Sequence, residues 1–234
     1  MIRLAIGALA SAHVLADEKR EPTPAHLFVE ESGVFNGMDS FCIGAIVAKE
    51  PDKHLKYIWH LRLRDHYRSR LLSRSSDKFK QAFAHGVIQY FFRTADLKFG
   101  ARVVNKRESD QELPRSAREA AYHRHYKKLI LDSVPKDLPV WLTLVNHSRG
   151  GADNLLRAYL REEIPHLAGI QVAKLRENDL LQLANLLAGS VSGGETVEDK
   201  VRLSPVLQLK QTLRVDTLQS PSLWRNPKFR VRAV

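Results

Sequence analysis

Two adjacent glutamates, Glu30 and Glu31, close a short apolar run, H-L-F-V. Two asparagines stand in comparable places. Asn146 ends the run P-V-W-L-T-L-V-N, and Asn185 sits inside L-L-Q-L-A-N-L-L-A-G. Oxygen side chains at strand ends and on a neighbouring helix are the pattern by which nucleases hold two divalent cations, which polarise a phosphate and generate hydroxide. Oxygen donors select Mg²⁺ or Mn²⁺. On that reading Glu30, Glu31, Asn146 and Asn185 are the catalytic candidates, with Glu30, Asn146 and Asn185 as metal ligands. Two of the four are neutral amides, which bring no charge to offset a cation. Asn185 raises a further question. Leu180–Gly189 is apolar almost all the way round, the mark of a buried helix, and only Gln182 and Asn185 interrupt it. Three residues apart, they share a helical face. A buried amide needs a partner, because leaving it without one costs a few kcal/mol.

The elements that would position these residues follow from periodicity. Glu21–Pro24, E-P-T-P, forms a stiff linker. A-H-L-F-V-E-E-S and F-C-I-G-A-I-V-A-K read as a β-hairpin around the turn residues Asn36–Asp39, the second strand apolar on both faces and therefore covered. His54–Leu72 reads as a very basic helix with the stripe Leu55, Ile58, Trp59 and Leu63. Ser75-Ser76-Asp77 is a cap signal for a second helix, with Phe79, Phe83, Val87, Tyr90 and Phe91 at core spacing. Lys98–Lys106 reads as a third strand and 107–114 as a polar loop. A helix over Arg115–Val134 follows, facing the core with Ala117, Ala121, Tyr122, Tyr126, Leu129 and Ile130. Then come a fourth strand over Pro139–Asn146, a helix from Leu155, a fifth strand over Gly169–Leu175 and the Asn185 helix, ended by glycines at 189, 193 and 194. Strands alternate with helices only after the hairpin, so the sheet is expected to be mixed, with five strands and flanking helices, in an α/β fold. The domain is bounded as 25–194, preceded by an apolar arm and linker over 1–24. A basic extension over 195–234 follows, with a helix-like piece, P-V-L-Q-L-K-Q-T-L-R. There is no internal repeat.

Among its 234 residues, 37 Lys and Arg stand against 26 Asp and Glu, a formal charge of +11. That balance favours a polyanionic partner, most simply RNA or DNA. Arg62, Arg64, Arg68, Arg70 and Arg74 on the first helix, Arg124, Lys127 and Lys128 on the third, and Arg149 in H-S-R-G-G are the phosphate-contact candidates. The tail W-R-N-P-K-F-R-V-R adds to them, and Trp59, Tyr67, Trp224 and Phe229 are the residues that could stack on bases. The H-S-R-G-G loop could offer backbone amides to a phosphate at a helix start, but it lacks the lysine spacing of a nucleotide-triphosphate loop. Cys42 is the only cysteine. It excludes an intramolecular disulfide and a cysteine-based zinc site, and it fits a reducing, cytoplasmic setting. His123 and His125 are two apart on a helix and face different ways, so they do not share a metal. Met1–Ala16 has features of a secretory signal, but a single positive charge and His13 argue for an ordered apolar arm. No other run is long and apolar enough for a membrane span.

The stretch H-L-F-V-E-E-S-G and the helix L-L-Q-L-A-N-L-L-A-G resemble the opening strand and closing helix of the domain-of-unknown-function 3800 family. The F-x-x-A-x-x-x-x-I-x-Y-F-F helix, the strand Leu97–Lys106 and the strand and helix start over Val140–Leu156 are similar to its middle. The resemblance covers roughly residues 25 to 192. It implies an RNase H-like fold and metal-dependent nuclease chemistry, in a family found in bacteria and mobile elements and suggestive of defence. Where that family carries aspartates, this chain has Glu30, Asn146 and Asn185, while Glu31 is retained. Asp65, beside His66, is the nearest candidate for the acidic residue before the long helix. Under the resemblance, Asn185 points into the former metal site, towards Glu30 and Asn146.

Three functions follow as expectations. The first is a nucleic-acid-binding protein derived from an RNase H-like nuclease, catalytically degenerate, serving as a subunit of a nucleoprotein assembly with protein partners. The second is an active Mg²⁺- or Mn²⁺-dependent nuclease drawing charge from Glu30, Glu31, Asp65 or Asp179. The third is a protein-interaction module whose basic surface meets an acidic partner.

Overall fold

Strands apolar on both faces must be covered on both, and three of them build the centre of this protein. In the computed structural model, which describes residues 22–33, 40–67, 78–105, 114–146, 151–192 and 204–234, β1 is Ala25–Ser32, β2 Ser40–Ala48, β3 Lys98–Asn105, β4 Val140–Val145, β5 Leu167–Ala173 and β6 Phe229–Ala233. They form one sheet in the order β5-β4-β1-β2-β3-β6. β1, β2 and β3 make an antiparallel meander. β4 joins β1 in parallel and β5 joins β4 in parallel. Each of these two additions follows a helix, as parallel pairing requires. This mixed sheet flanked by helices is the α/β architecture expected from the sequence.

The helices are α1 Pro51–Arg64, α2 Lys78–Arg93, α3 Arg115–Ser133, α4 Gly151–Glu163, α5 Asp179–Ser192 and α6 Ser204–Leu213. Alternation along the strands divides the core in two. Phe28, Ile46, Phe99 and Val145 face α1, α2, α5 and α6. Leu27, Val29, Ile43 and Leu144 face α3 and α4.

Several expectations change. The sheet has six strands, because F-R-V-R-A at the C-terminus pairs in parallel with β3. The stretch set apart as a basic extension over 195–234 therefore completes the sheet, and α6 belongs to the core that covers it. Phe229 and Val231 are buried, which removes Phe229 from the stacking candidates. α1 ends at Arg64 rather than running to Leu72: Asp65 caps it and His66 takes a left-handed φ of 50°. Its buried face is His54, Ile58, Leu61 and Arg62, while Trp59 and Leu63 are more than half exposed. Placing Trp59 and Leu63 in an apolar stripe assigned the wrong face, because two polar side chains, His54 and Arg62, find buried partners. α4 starts at Gly151, four residues before Leu155. The arm, the turn Asn36–Asp39, the cap Ser75–Asp77, the 107–113 part of the polar loop, His147–Gly150 and the glycines at 193 and 194 lie outside the described residues, as does the side chain of Phe79. No helix among the described residues is long and apolar enough to cross a membrane.

His54 is fully buried between Tyr90 Oη, 2.8 Å from its Nδ1, and Asp96 Oδ2, 3.1 Å from its Nε2. Burial lowers its pKa, against the pull of Asp96. The unfolded chain therefore takes up this proton first, near pH 6.5, and stability is lost as the pH falls from there through the lower folded value. Urea melts between pH 7.5 and 5 are expected to show this decline, and His54→Asn to show a shallower one.

Candidate functional site

The site is set by how closely α5 lies on the sheet. The helix packs on β1 and β2, with Ala188 set against the sheet. Opposite Ala188 the sheet presents Gly44. A Cβ there would lie 2.8 Å from the Ala188 Cβ and 2.9 Å from the Phe99 ring, so only glycine fits beneath the helix. The start of α5 is fixed by Asn178, whose Oδ1 accepts the N–H groups of Leu180 and Leu181, each at 3.0 Å. This is an N-cap of the usual kind. With start and spacing fixed, Asn185 meets the end of β1. Its Nδ2 donates to Glu30 Oε1 at 3.3 Å and to the backbone oxygen of Glu31 at 3.4 Å. Both acceptors are oxygens, so the NH₂ of the amide, not its carbonyl, faces Glu30. Glu30 is only 3% exposed.

Glu31 does not join this site through its side chain. Neighbouring residues on a strand point to opposite faces, and Glu31 Oε2 accepts the Tyr122 hydroxyl of α3 at 2.8 Å. Tyr122 Oη lies 3.2 Å from that of Tyr126. The Tyr126 hydroxyl is pushed well above its ordinary pKa, first by burial and then by Tyr122 and Glu31. The expectation of four residues in one cluster is corrected here, because strand alternation separates the two glutamates. Asn146 sits at the β4 end with an exposed side chain, its backbone N–H bonded to Ala173 O at 3.0 Å.

No group of three or more His, Cys, Asp or Glu side chains gathers among the described residues. At the end of β1 the structure offers one carboxylate and an amide that turns hydrogens towards it. A hydrogen-bond donor in the place of a ligand oxygen does not fit a pair of divalent cations, which need several anionic oxygens. The two reserve carboxylates are tied to arginines. Arg64 Nε and Nη2 bond both oxygens of Asp65, at 2.6 and 2.9 Å. Arg62 Nε and Nη2 both donate to Asp179 Oδ1, at 2.9 and 2.5 Å.

Arg62 is therefore no surface phosphate contact. It is 8% exposed, gives a further hydrogen bond to Gln182 Oε1 at 3.0 Å, and lies over the rings of Tyr67 and Phe83. The two polar residues of α5 thus part company: Gln182 serves Arg62 of α1, and Asn185 serves Glu30 of β1. Tyr67, buried in the same contact, is not available to a base. Of the other basic candidates, Arg64, Arg124 and Lys128 are exposed, and Lys127 pairs with Glu163. Arg68, Arg70, Arg74 and Arg149 lie outside the described residues. Tyr122 and Arg62 could not be read beforehand as site-shaping residues, since each depends on a partner remote in the chain.

No protein-family model matches this chain, and no curated protein does. Among solved structures it is similar to ribonuclease H2 of Pyrococcus horikoshii, with a TM-score of 0.49 and 12% identity over 81% of this chain and 77% of that one. It is also similar to RNase HII of Archaeoglobus fulgidus in its PCNA complex, with a TM-score of 0.48 and 12% identity over 80% and 76%. Bst-RNase HIII with Mn²⁺ gives a TM-score of 0.44 and 14% identity over 84% and 57%. At these values the fold assignment rests on strand order and direction.

Two outcomes are expected. Asn185→Asp puts a second carboxylate against buried Glu30 and should cost about 1–3 kcal/mol at pH 7.5. Millimolar Mg²⁺ or Mn²⁺ should restore much of that loss in the variant while barely moving the parent, as read by thermal melts. Arg62→Met strands Asp179 and should cost about 3 kcal/mol in urea melts, whereas exposed Arg64→Met should stay within about 0.5 kcal/mol.

Proposed function

We propose that this chain binds nucleic acid on an RNase H-like scaffold, as a degenerate relative of the domain-of-unknown-function 3800 nucleases and as a subunit of a nucleoprotein assembly. One observation carries the reading: the Asn185 amide donates to the Glu30 carboxylate at the end of β1. In a metal-dependent centre that carboxylate would face a cation. Here an amide hydrogen meets Oε1 of that carboxylate, so the end of β1 keeps the shape of a phosphate-processing site without its charge balance.

Catalysis is absent or feeble on this reading, and the function that remains is contact with a polyanion. The formal charge of +11 supplies long-range attraction. Arg124 and Lys128, exposed on α3, are described candidates for meeting phosphates, while Arg64 is held by Asp65. Arg62 and Lys127 instead serve the fold.

The test is a gel series with labelled single-stranded RNA, single-stranded DNA, duplex and hybrid, in EDTA, Mg²⁺ or Mn²⁺, at several salt concentrations. The expected result is retarded but uncut substrate in every metal, with affinity falling linearly as log K against log salt. Asn146→Asp combined with Asn185→Asp should then gain metal-dependent cutting. Metal-dependent cleavage by the parent, lost in Glu30→Gln, would make it an active nuclease instead. Neither binding nor cleavage would favour a surface for an acidic protein partner.

A further inference from the structure

On the face of the sheet opposite Asn185, β3 and β6 meet the C-terminal end of α3. Strand alternation sends Phe99, Ala101, Phe229 and Val231 into the core beneath α2 and α5. It sends Arg102, Arg230 and Arg232 the other way, where parallel register sets Arg102 beside Arg232 and Gly100 beside Arg230. All three guanidiniums converge on one residue. Arg102 Nη1 and Arg232 Nη1 bond Asp132 Oδ2 at 3.1 and 3.2 Å, and Arg230 Nη1 bonds the Asp132 backbone oxygen at 2.9 Å. They line a cleft of about 190 Å³ that also takes in Lys98 and Trp224.

Capping of a helix end explains part of this arrangement but not all of it. Four cations face one carboxylate and a helix end worth roughly half a negative charge. Arg102 is 2% exposed, and its Nε–H is buried with no hydrogen-bond partner among the described residues. Burial lowers its pKa, Asp132 raises it, and Arg232 lowers it further. Its charge is thus under-compensated where compensation matters most. At the mouth, Trp224 is half exposed, with the Arg232 guanidinium 4.1 Å from its ring. The cleft is smaller than the roughly 300–1,000 Å³ of a drug-sized ligand pocket, so it suits a compact anion with an attached group left outside.

We propose that this cleft is a nucleotide phosphate site: Lys98, Arg230 and Arg232 take the phosphate, Arg102 supplies a buried positive field behind them, and Trp224 receives the base. Asp132 then orders the guanidiniums in the absence of ligand and competes with the phosphate for them. The site lies on a different face from the end of β1 and needs no metal. It stands apart from strand binding, and mononucleotides test it without any oligonucleotide present.

Calorimetric titrations with inorganic phosphate, uridine 5′-monophosphate and uridine read each part. The monophosphate is expected to bind more tightly than phosphate, and uridine not measurably. Arg230→Gln with Arg232→Gln should weaken the monophosphate at least tenfold, while Arg161→Gln on α4 leaves it unchanged. Trp224→Ala should weaken the monophosphate several-fold and leave phosphate alone. Asp132→Asn, which removes the competing carboxylate, should tighten phosphate several-fold, a gain that misfolding cannot produce. Monophosphate binding unchanged in the double arginine variant, binding of uridine equal to that of its monophosphate, or no binding at all to the parent would each overturn the proposal.

Discussion

A carboxylate buried at the end of an interior strand needs a donor against it, and the packing around Glu30 brings one to its Oε1. Burial makes the ionised group costly unless hydrogen-bond donors or cations stand against it. The fold supplies a donor from a residue 155 positions away, Asn185 on α5. For that donor to arrive, α5 must lie almost on the sheet. The absent side chain of Gly44 and the small one of Ala188 allow it, while the Asn178 cap fixes the phase of the helix. Packing and polar satisfaction here are one constraint.

The same logic separates Glu30 from Glu31. A strand cannot present consecutive side chains to one place, so one glutamate meets α5 and the other meets Tyr122 of α3. Elsewhere, carboxylates that might have enriched the site are held by arginines from α1. The molecule thus carries many cations but spends several of them on internal pairing. Among the described residues, basic side chains gather where β6 meets α3.

Much of this was legible beforehand, for identifiable reasons. The hairpin, the alternation of later strands and helices, and the apolar α5 follow from local period, which a sequence displays directly. The approach of Asn185 to Glu30 was an expectation of the family resemblance, while the apolar run around Asn185 showed only that its amide needed a partner. What was missed depends on partners far along the chain. Arg62 reads as one arginine of a solvated face until Asp179 and Gln182 are brought to it. F-R-V-R-A reads as a charged tail, although its strict alternation of apolar and basic residues is the mark of a half-buried strand. Charge drew attention from the period. Trp59 and Leu63 mislead in the opposite way, since apolar residues at helical spacing promise a core that His54 and Arg62 occupy instead.

The central claim is that an amide, and not a cation, stands against Glu30 Oε1. The side-chain NH₂ of Asn185 can be followed directly by ¹⁵N-resolved NMR during titration with Mn²⁺. The account predicts that these signals persist through stoichiometric Mn²⁺, with no broadening beyond that of exposed carboxylates elsewhere. Selective loss of the Asn185 NH₂ signals at substoichiometric Mn²⁺ would place a cation beside Glu30 and contradict it.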